Sequence, residues 1–370
     1  MTYQAIHIAA LRMGFLRSRS GISLGEYFLR IAVLFTLVGI SVAPASSQTY
    51  WDVQTYFKQV GLSQDQINSI TKNGQAVAVN LPSRSPAEIY VFGAVFINTT
   101  PEAYLRYYSD YSHMRQQPGY LAVQKFSTPP QISDLKGFDL DPQDIQSLQK
   151  CKPGECQVQL PARVMQDLRS TINWSAPNVN DQVDQFIQKY ALQRLQEYQQ
   201  QGGKILGAVL NDKGQPTNVV DQFTYLLSYN KVLPSDATFY KYLLSYPGAP
   251  PANTNTWFYW DSVKFGLKPT LRIVQVFTRN GATATEPALS IAEKQLYSSH
   301  YFETALDLTF CFSSSGDPNK PGIYLVQLMG SEQAGLTGFK GSMVRRVAVS
   351  KSVSGLQASM MQLKTALDGK

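Results

Sequence analysis

Histidine and cysteine are scarce in this chain, with three of each in 370 residues. No second cysteine pair and no histidine pair stands at metal-ligand spacing, so a Cys/His zinc centre has no sequence support and no metal is expected. HExxH, GxSxG, P-loop and EF-hand patterns are all missing. The common signatures of zinc hydrolases, α/β-hydrolases, nucleotide binding and calcium binding go with them. Long Lys/Arg runs are absent too, which leaves nucleic acid without an electrostatic footprint. No catalytic residue is assigned and no cofactor is expected; an enzyme is the less favoured reading.

What is present begins at the N-terminus. Arg12, Arg17, Arg19 and Arg30 stand there with a single acid, Glu26. An apolar run follows from Ile31 to Ala45, and small residues close it at Ala43, Ala45, Ser46 and Ser47. A basic lead, a short apolar stretch and a small-residue exit make a signal peptide over 1–47, with Met13 as an alternative start. The apolar run has 15 residues, against roughly 20 for a membrane-spanning helix. An uncleaved anchor is the rival reading. No Cys lies near the exit, so lipoprotein processing is not expected. The expected location is therefore outside the cytoplasm, periplasmic or secreted. Loss of 1–47 removes four Arg and one Glu from 33 basic and 26 acidic residues, and the net charge falls from +7 to +4. Part of the basic balance thus belongs to the leader.

Cys151 and Cys156 bracket the tight loop CKPGEC, which an oxidising compartment would bridge. Half a zinc site is the alternative, and it lacks two ligands. Cys311 lies within a strand pattern and reads as a buried thiol.

Residues 48–75 read as a helical preface, with Ser63 placed to cap a helix and Gly74 to end it. EIYVFGAVFIN, from Glu88 to Asn98, is a strand rich in aromatic and β-branched residues, with Gly93 at a position where a bend or bulge is allowed. Thr100, Pro101 and Glu102 then open a helix. A further strand, YLAVQKFS, closes at Pro129-Pro130. From about 131 to 248 strand patterns vanish and amphipathic helices take over. The longest carries Val179, Val183, Phe186, Ile187, Tyr190, Leu195 and Tyr198 on one face. DQFTYLLSY and DATFYKYLLSY read as two more, each opening on an Asp cap. Strands return from Trp257 to Met329. In HYFETALDLTFCFS, Phe302, Leu306, Leu308, Phe310 and Phe312 fall on one side and Glu303, Asp307 and Thr309 on the other, the pattern of a half-buried strand. GIYLVQLM is apolar on both sides and suits a central strand. Val353, Leu356, Met360, Leu363 and Leu367 mark a last, long helix from about Met343. Gly335, Gly338 and Gly341 precede it, at the wrong spacing for a dinucleotide fingerprint.

This order of elements resembles the START/SRPBCC helix-grip superfamily. EIYVFGAVFINTTPEAYLRYYSDYSHM at the start carries the resemblance, together with the strands from Trp257 to Met329 and the final helix. It covers somewhat over half of the chain after the leader. CKPGEC, FGLKP, SHYFETALDLT and the closing GF-G-VRR segment also look like an uncharacterised family of exported bacterial proteins. The fold class implied is α+β: a curved antiparallel sheet gripping a long C-terminal helix, with a helical insertion at about 131–248 inside a domain over 76–370. The function implied is an exported binding protein that holds an apolar small molecule or lipid between sheet and helix. Phe92, Phe96, Tyr259, Phe277, Phe302 and Phe310 are the aromatic candidates to line that space. Ordinary core packing is the alternative for each. An envelope structural or interaction protein with a filled core is the second reading; it would carry an exposed apolar patch on the helical insertion. A cyclase or hydrolase is the third.

His300 follows Ser298-Ser299 and precedes Tyr301 and Glu303, the best local cluster of polar groups. On a regular strand His300 and Glu303 fall on opposite sides. A structural role competes there with ligand contact. Arg345-Arg346 could meet an anionic headgroup or a membrane surface as a peripheral contact, or simply be solvated.

Overall fold

The computed structural model describes residues 52–369, apart from 118, 153, 154, 157, 211–215, 231, 233–235, 265–267, 284, 285, 315–320 and 334. The signal-peptide reading at 1–47 lies outside the described residues.

Two short helices come first, α1 (Val53–Val60) and α2 (Gln64–Thr71). Asp52 caps α1, and a reciprocal capping box between Ser63 and Gln66 opens α2. The strands β1 (Val77–Leu81) and β2 (Glu88–Ile97) lead into α3 (Pro101–Ser109), where the Thr100 hydroxyl accepts from the Ala103 N–H at 3.2 Å. Then come α4 (Ser112–Gln116) and β3 (Tyr120–Lys125).

Between β3 and the next long strand lie α5 (Pro142–Leu148), α6 (Ala162–Thr171), α7 (Val179–Gln201), α8 (Val219–Ser228) and α9 (Ala237–Ser245). Strand pairing does not vanish here: β4 (Ala208–Leu210) and β5 (Pro216–Asn218) form a small antiparallel pair. The cap of α8 also differs from the Asp reading. Asn218 accepts from the N–H groups of Val220 and Asp221, which puts Asp221 in the first helical turn, where its charge suits the dipole. Asp236 does cap α9, accepting from the Phe239 N–H at 3.0 Å.

Five long strands follow: β6 (Thr254–Lys264), β7 (Pro269–Asn280), β8 (Leu289–Ser298), β9 (Phe302–Ser313) and β10 (Ile323–Gln333). The helix α10 (Gly338–Leu367) starts five residues before Met343. Gly341 permits that start, because a Cβ there would lie 2.4 Å from the Leu336 backbone. All eight strands outside the β4–β5 pair join one antiparallel sheet in the order β1-β2-β10-β9-β8-β7-β6-β3. β10 is an interior strand, as its two-sided apolar sequence requires.

Both faces of the sheet are covered. On one, Phe92, Phe277, Leu308 and Phe310 pack with α1, α2, α8 and α9, and Phe258, Trp260, Leu271 and Ile273 extend this face to α5–α7. On the other, Val91, Val95, Val276, Ile291, Cys311 and Leu325 pack with α3 and α10. The half-buried reading of β9 therefore gives way: Thr309 and Cys311 are buried on the side expected to be wet. Gly93 makes no bulge, since β2 keeps continuous register through it with both neighbours. It makes room instead. A Cβ at Gly93 would come within 2.8 Å of Leu356 and 2.9 Å of Met360, so its missing side chain is what lets α10 lie on β2.

Candidate functional site

Residues paired across neighbouring antiparallel strands point to the same face of the sheet. One such row on the α10 face reads Trp257, Val276, Glu293, Asp307, Met329, Val91, from β6 to β2. Val276 and Val91 are sealed in the core. Met329, on an interior strand, is 38% exposed, and Asp307 and Glu293 beside it are part-exposed. The helices on this face therefore leave its centre partly uncovered, and this opening is the groove. Leu356 and Met360 of α10, held at Gly93, bound one flank. α3 and the turn after it bound the other, where the Tyr111 ring meets Tyr259 at a tilt with centroids 5.1 Å apart and its hydroxyl accepts from the Trp257 indole N–H at 2.6 Å.

Glu293 and Asp307 face each other across β8 and β9. The Tyr259 hydroxyl donates to Glu293 Oε1 at 2.9 Å, and the Tyr108 hydroxyl lies against the same carboxyl. Burial raises the Glu293 carboxyl above the usual range, against the pull of those two hydroxyls and of Arg272. Burial and the neighbouring Glu293 charge push Asp307 up to about 7. Two carboxyls this close cannot both ionise at low cost, so they titrate as a pair. Two rows along the same face, Arg272 holds Asp261 in a two-pronged pair at 2.9 and 2.5 Å. Arg272 is thereby committed, and Asp307 has no salt-bridge partner among the described residues. The groove thus offers an acid pair, tyrosine hydroxyls and an apolar Met329.

The residues singled out from the sequence do not converge here. Phe92, Phe277 and Phe310 are fully buried on the opposite face. There Phe92 meets Tyr56 with ring centroids 6.2 Å apart, and Phe277 meets Tyr242 at 5.6 Å. Phe96 meets Tyr324 of the same face in a tilted pair with centroids 5.3 Å apart. Phe302 sits part-buried at the start of β9. Tyr259 alone faces the groove. Glu293 and Asp307 are not among the sequence candidates, Asp307 being read there only as part of the wet side of β9, although each is an acid set mid-strand among apolar neighbours, in IAEKQL and ALDLT. That placement was the available signal.

His300 is buried away from the groove. Its Nε2 lies 3.1 Å from Asp144 of α5, and its Nδ1 lies 2.9 Å from the Ser299 hydroxyl. Lys268 also pairs with Asp144. Ser299, His300 and Asp144 stand in line as a hydrolytic triad would, but Ser299 is 1% exposed and its oxygen already accepts from the Leu271 N–H at 2.9 Å. No substrate can reach it. The cluster is a buried tie between α5 and the β7–β8 end of the sheet. Tyr301 accepts from the Lys268 backbone N–H at 3.1 Å, and Glu303 is buried.

The sulfurs of Cys151 and Cys156 stand 2.12 Å apart, at disulfide distance. Cys311 is a buried free thiol on β9. Among the described residues no group of three or more His, Cys, Asp or Glu side chains could hold a metal ion. None of the described helices is long and apolar enough to cross a membrane. Comparison with protein-family models, curated proteins and solved structures yields no match.

Proposed function

We propose that this chain is an exported binding protein of helix-grip type, holding an amphipathic small molecule or lipid in the groove between the sheet and α10. The strand order supports the helix-grip reading. β2 and β3 stand at the two ends of the array β2-β10-β9-β8-β7-β6-β3, and the last strand leads into the long helix. In this reading the segment from 131 to 248 is an insertion that covers the opposite face. The observation that carries the binding site is the exposed Met329 on an interior strand, with Asp307 and Glu293 in the same row. Met329 would meet the apolar part of a ligand. The acid pair and the Tyr108 and Tyr259 hydroxyls would meet its polar group, as in small-molecule sites where a few convergent polar groups fix orientation.

Native mass spectrometry of the gently purified chain tests this. The expected result is a small-molecule adduct that organic solvent extracts and that Met329→Trp, which fills the groove from an exposed position, abolishes. A wild-type chain with no adduct in cells or after exposure to a lipid extract would end the proposal.

A further inference from the structure

Among the described residues, exposed large apolar side chains concentrate on the first turns of α10. Phe339 is 86% exposed, Met343 60%, Val344 54% and Val347 56%. Phe339, Met343 and Val347 are spaced by four, so they form a stripe that drifts about 40° per step. The stripe lies away from the side that Val349, Val353, Leu356 and Met360 bury against the sheet. At the same angular spacing Arg346 falls beside Phe339 on one side of the stripe, and Lys340 and Lys351 fall beyond Val347 on the other. From Gly338 to Leu367 the helix carries Lys340, Arg345, Arg346, Lys351 and Lys364 and no Asp or Glu. Arg345 is committed, donating to the Pro86 and Glu88 carbonyls at 2.9 and 3.1 Å. Lys340, Arg346 and Lys351 are exposed, and no carboxylate engages them among the described residues. Arg346 also edges a surface depression of about 620 Å³ that Ser83, Ser85 and Ser342 line with hydroxyls.

An apolar stripe flanked by exposed cations, Arg346 on one side and Lys340 and Lys351 on the other, is the arrangement of a helix that lies in a membrane interface. A second copy of the chain fits it poorly, because an isologous contact through this stripe would bring the flanking cations of both copies together.

We propose that the outer face of the first turns of α10 docks onto an anionic bilayer surface. Phe339 and Met343 enter the acyl boundary, and Lys340, Arg346 and Lys351 sit at the level of the lipid phosphates. This inference does not depend on the groove holding a ligand.

The test uses the full chain with Met343→Cys carrying an environment-sensitive fluorophore. Cys151 and Cys156 are bonded and Cys311 is buried, so labelling is directed to the new thiol. Because the probe reports on α10 alone, attachment of the chain through its apolar N-terminal run cannot imitate the signal. Vesicles of phosphatidylcholine with an equal part of phosphatidylglycerol should shift the emission to the blue, and added salt should reverse the shift. Vesicles of phosphatidylcholine alone should leave it unchanged. The same probe at Arg163→Cys, an exposed position on α6, should not respond. Reversing Lys340, Arg346 and Lys351 to Glu should weaken the response by roughly 100-fold or more, at about 1 kcal/mol per cation near an anionic surface. Phe339→Ser should cost about tenfold. Unchanged circular dichroism would show that these surface variants fold. No blue shift, an equal shift with neutral vesicles, or a lipid-free shift that grows with protein concentration would each overturn the proposal, the last in favour of self-association.

Discussion

Glu293 and Lys294 are neighbours in sequence and opposites in environment. They point to the two faces of β8, and burial disfavours the charge of each. Lys294 is buried against the α8/α9 side, 5.0 Å from the Phe223 ring, with one long contact to the Leu243 carbonyl at 3.4 Å. Burial lowers its ammonium to about 8. Between that value and the unfolded value of about 10.4, the unfolded chain holds more protons, so stability rises with pH. Lys294→Met should therefore stabilise the fold at pH 7, by about 1–3 kcal/mol. Its advantage over wild type should shrink between pH 8 and 9.5 in urea melts. Asp307 has the opposite sign. Its folded pKa is raised to about 7, so the folded state holds the extra proton and wild-type stability falls as pH climbs from about 4 to 7. In Asp307→Asn that decline should be reduced, so the variant gains on wild type through this window and holds the gain above it. Parallel curves for the two would show that Asp307 does not feel its surroundings in this way.

At the scale of elements, the contact between α10 and β2 fixes the geometry of the groove. Gly93→Val would drive two methyl groups toward Leu356 and Met360, which a Cβ alone would already touch at 2.8 and 2.9 Å. Overpacking of this kind costs about 1–3 kcal/mol. The expected outcome is a lowered melting temperature that Leu356→Ala partly restores in the double variant. Additive losses would mean that the two sites do not meet. Most elements were legible in the sequence because period and capping are local properties. Thr100-Pro101, Ser63 with Gln66, and the alternation of Leu306, Leu308, Phe310 and Phe312 needed no tertiary information. Asn218 displaced the expected Asp221 cap because both residues are good caps, and only the path of the preceding β5 selects between them.

For the whole molecule, the attachment of the 131–248 segment to the sheet rests in part on the buried cluster of Asp144, His300 and Lys268. Removing the acid leaves the half-buried Lys268 ammonium and the buried His300 ring without their shared partner, and breaking a buried pair in this way costs about 3–5 kcal/mol. Asp144→Ala should raise amide hydrogen exchange in α5–α7 while β2, β9 and β10 keep their protection. Uniform loss across the sheet would mean that segment and sheet unfold as one unit. The envelope-protein reading expected an exposed apolar patch on this same segment. Among the described residues the concentrated patch lies on α10 instead, and of the large exposed apolar side chains only Ile132 falls within 131–248.

The sequence by itself determined the α+β class, the interior place of β10, the long final helix and the pairing of Cys151 with Cys156, since each depends on residues close together in the chain. Tertiary structure decided which face of each strand meets which helix. Alternation divides a strand into two sets without saying which set lies beneath α10. The aromatic set, with Phe92, Phe277 and Phe310, looked like the lining of a binding site and proved to be the core beneath α8 and α9. The set with Gly93, Glu293, Asp307 and Met329 faces the groove, because α10 can approach the sheet only where β2 has no side chain.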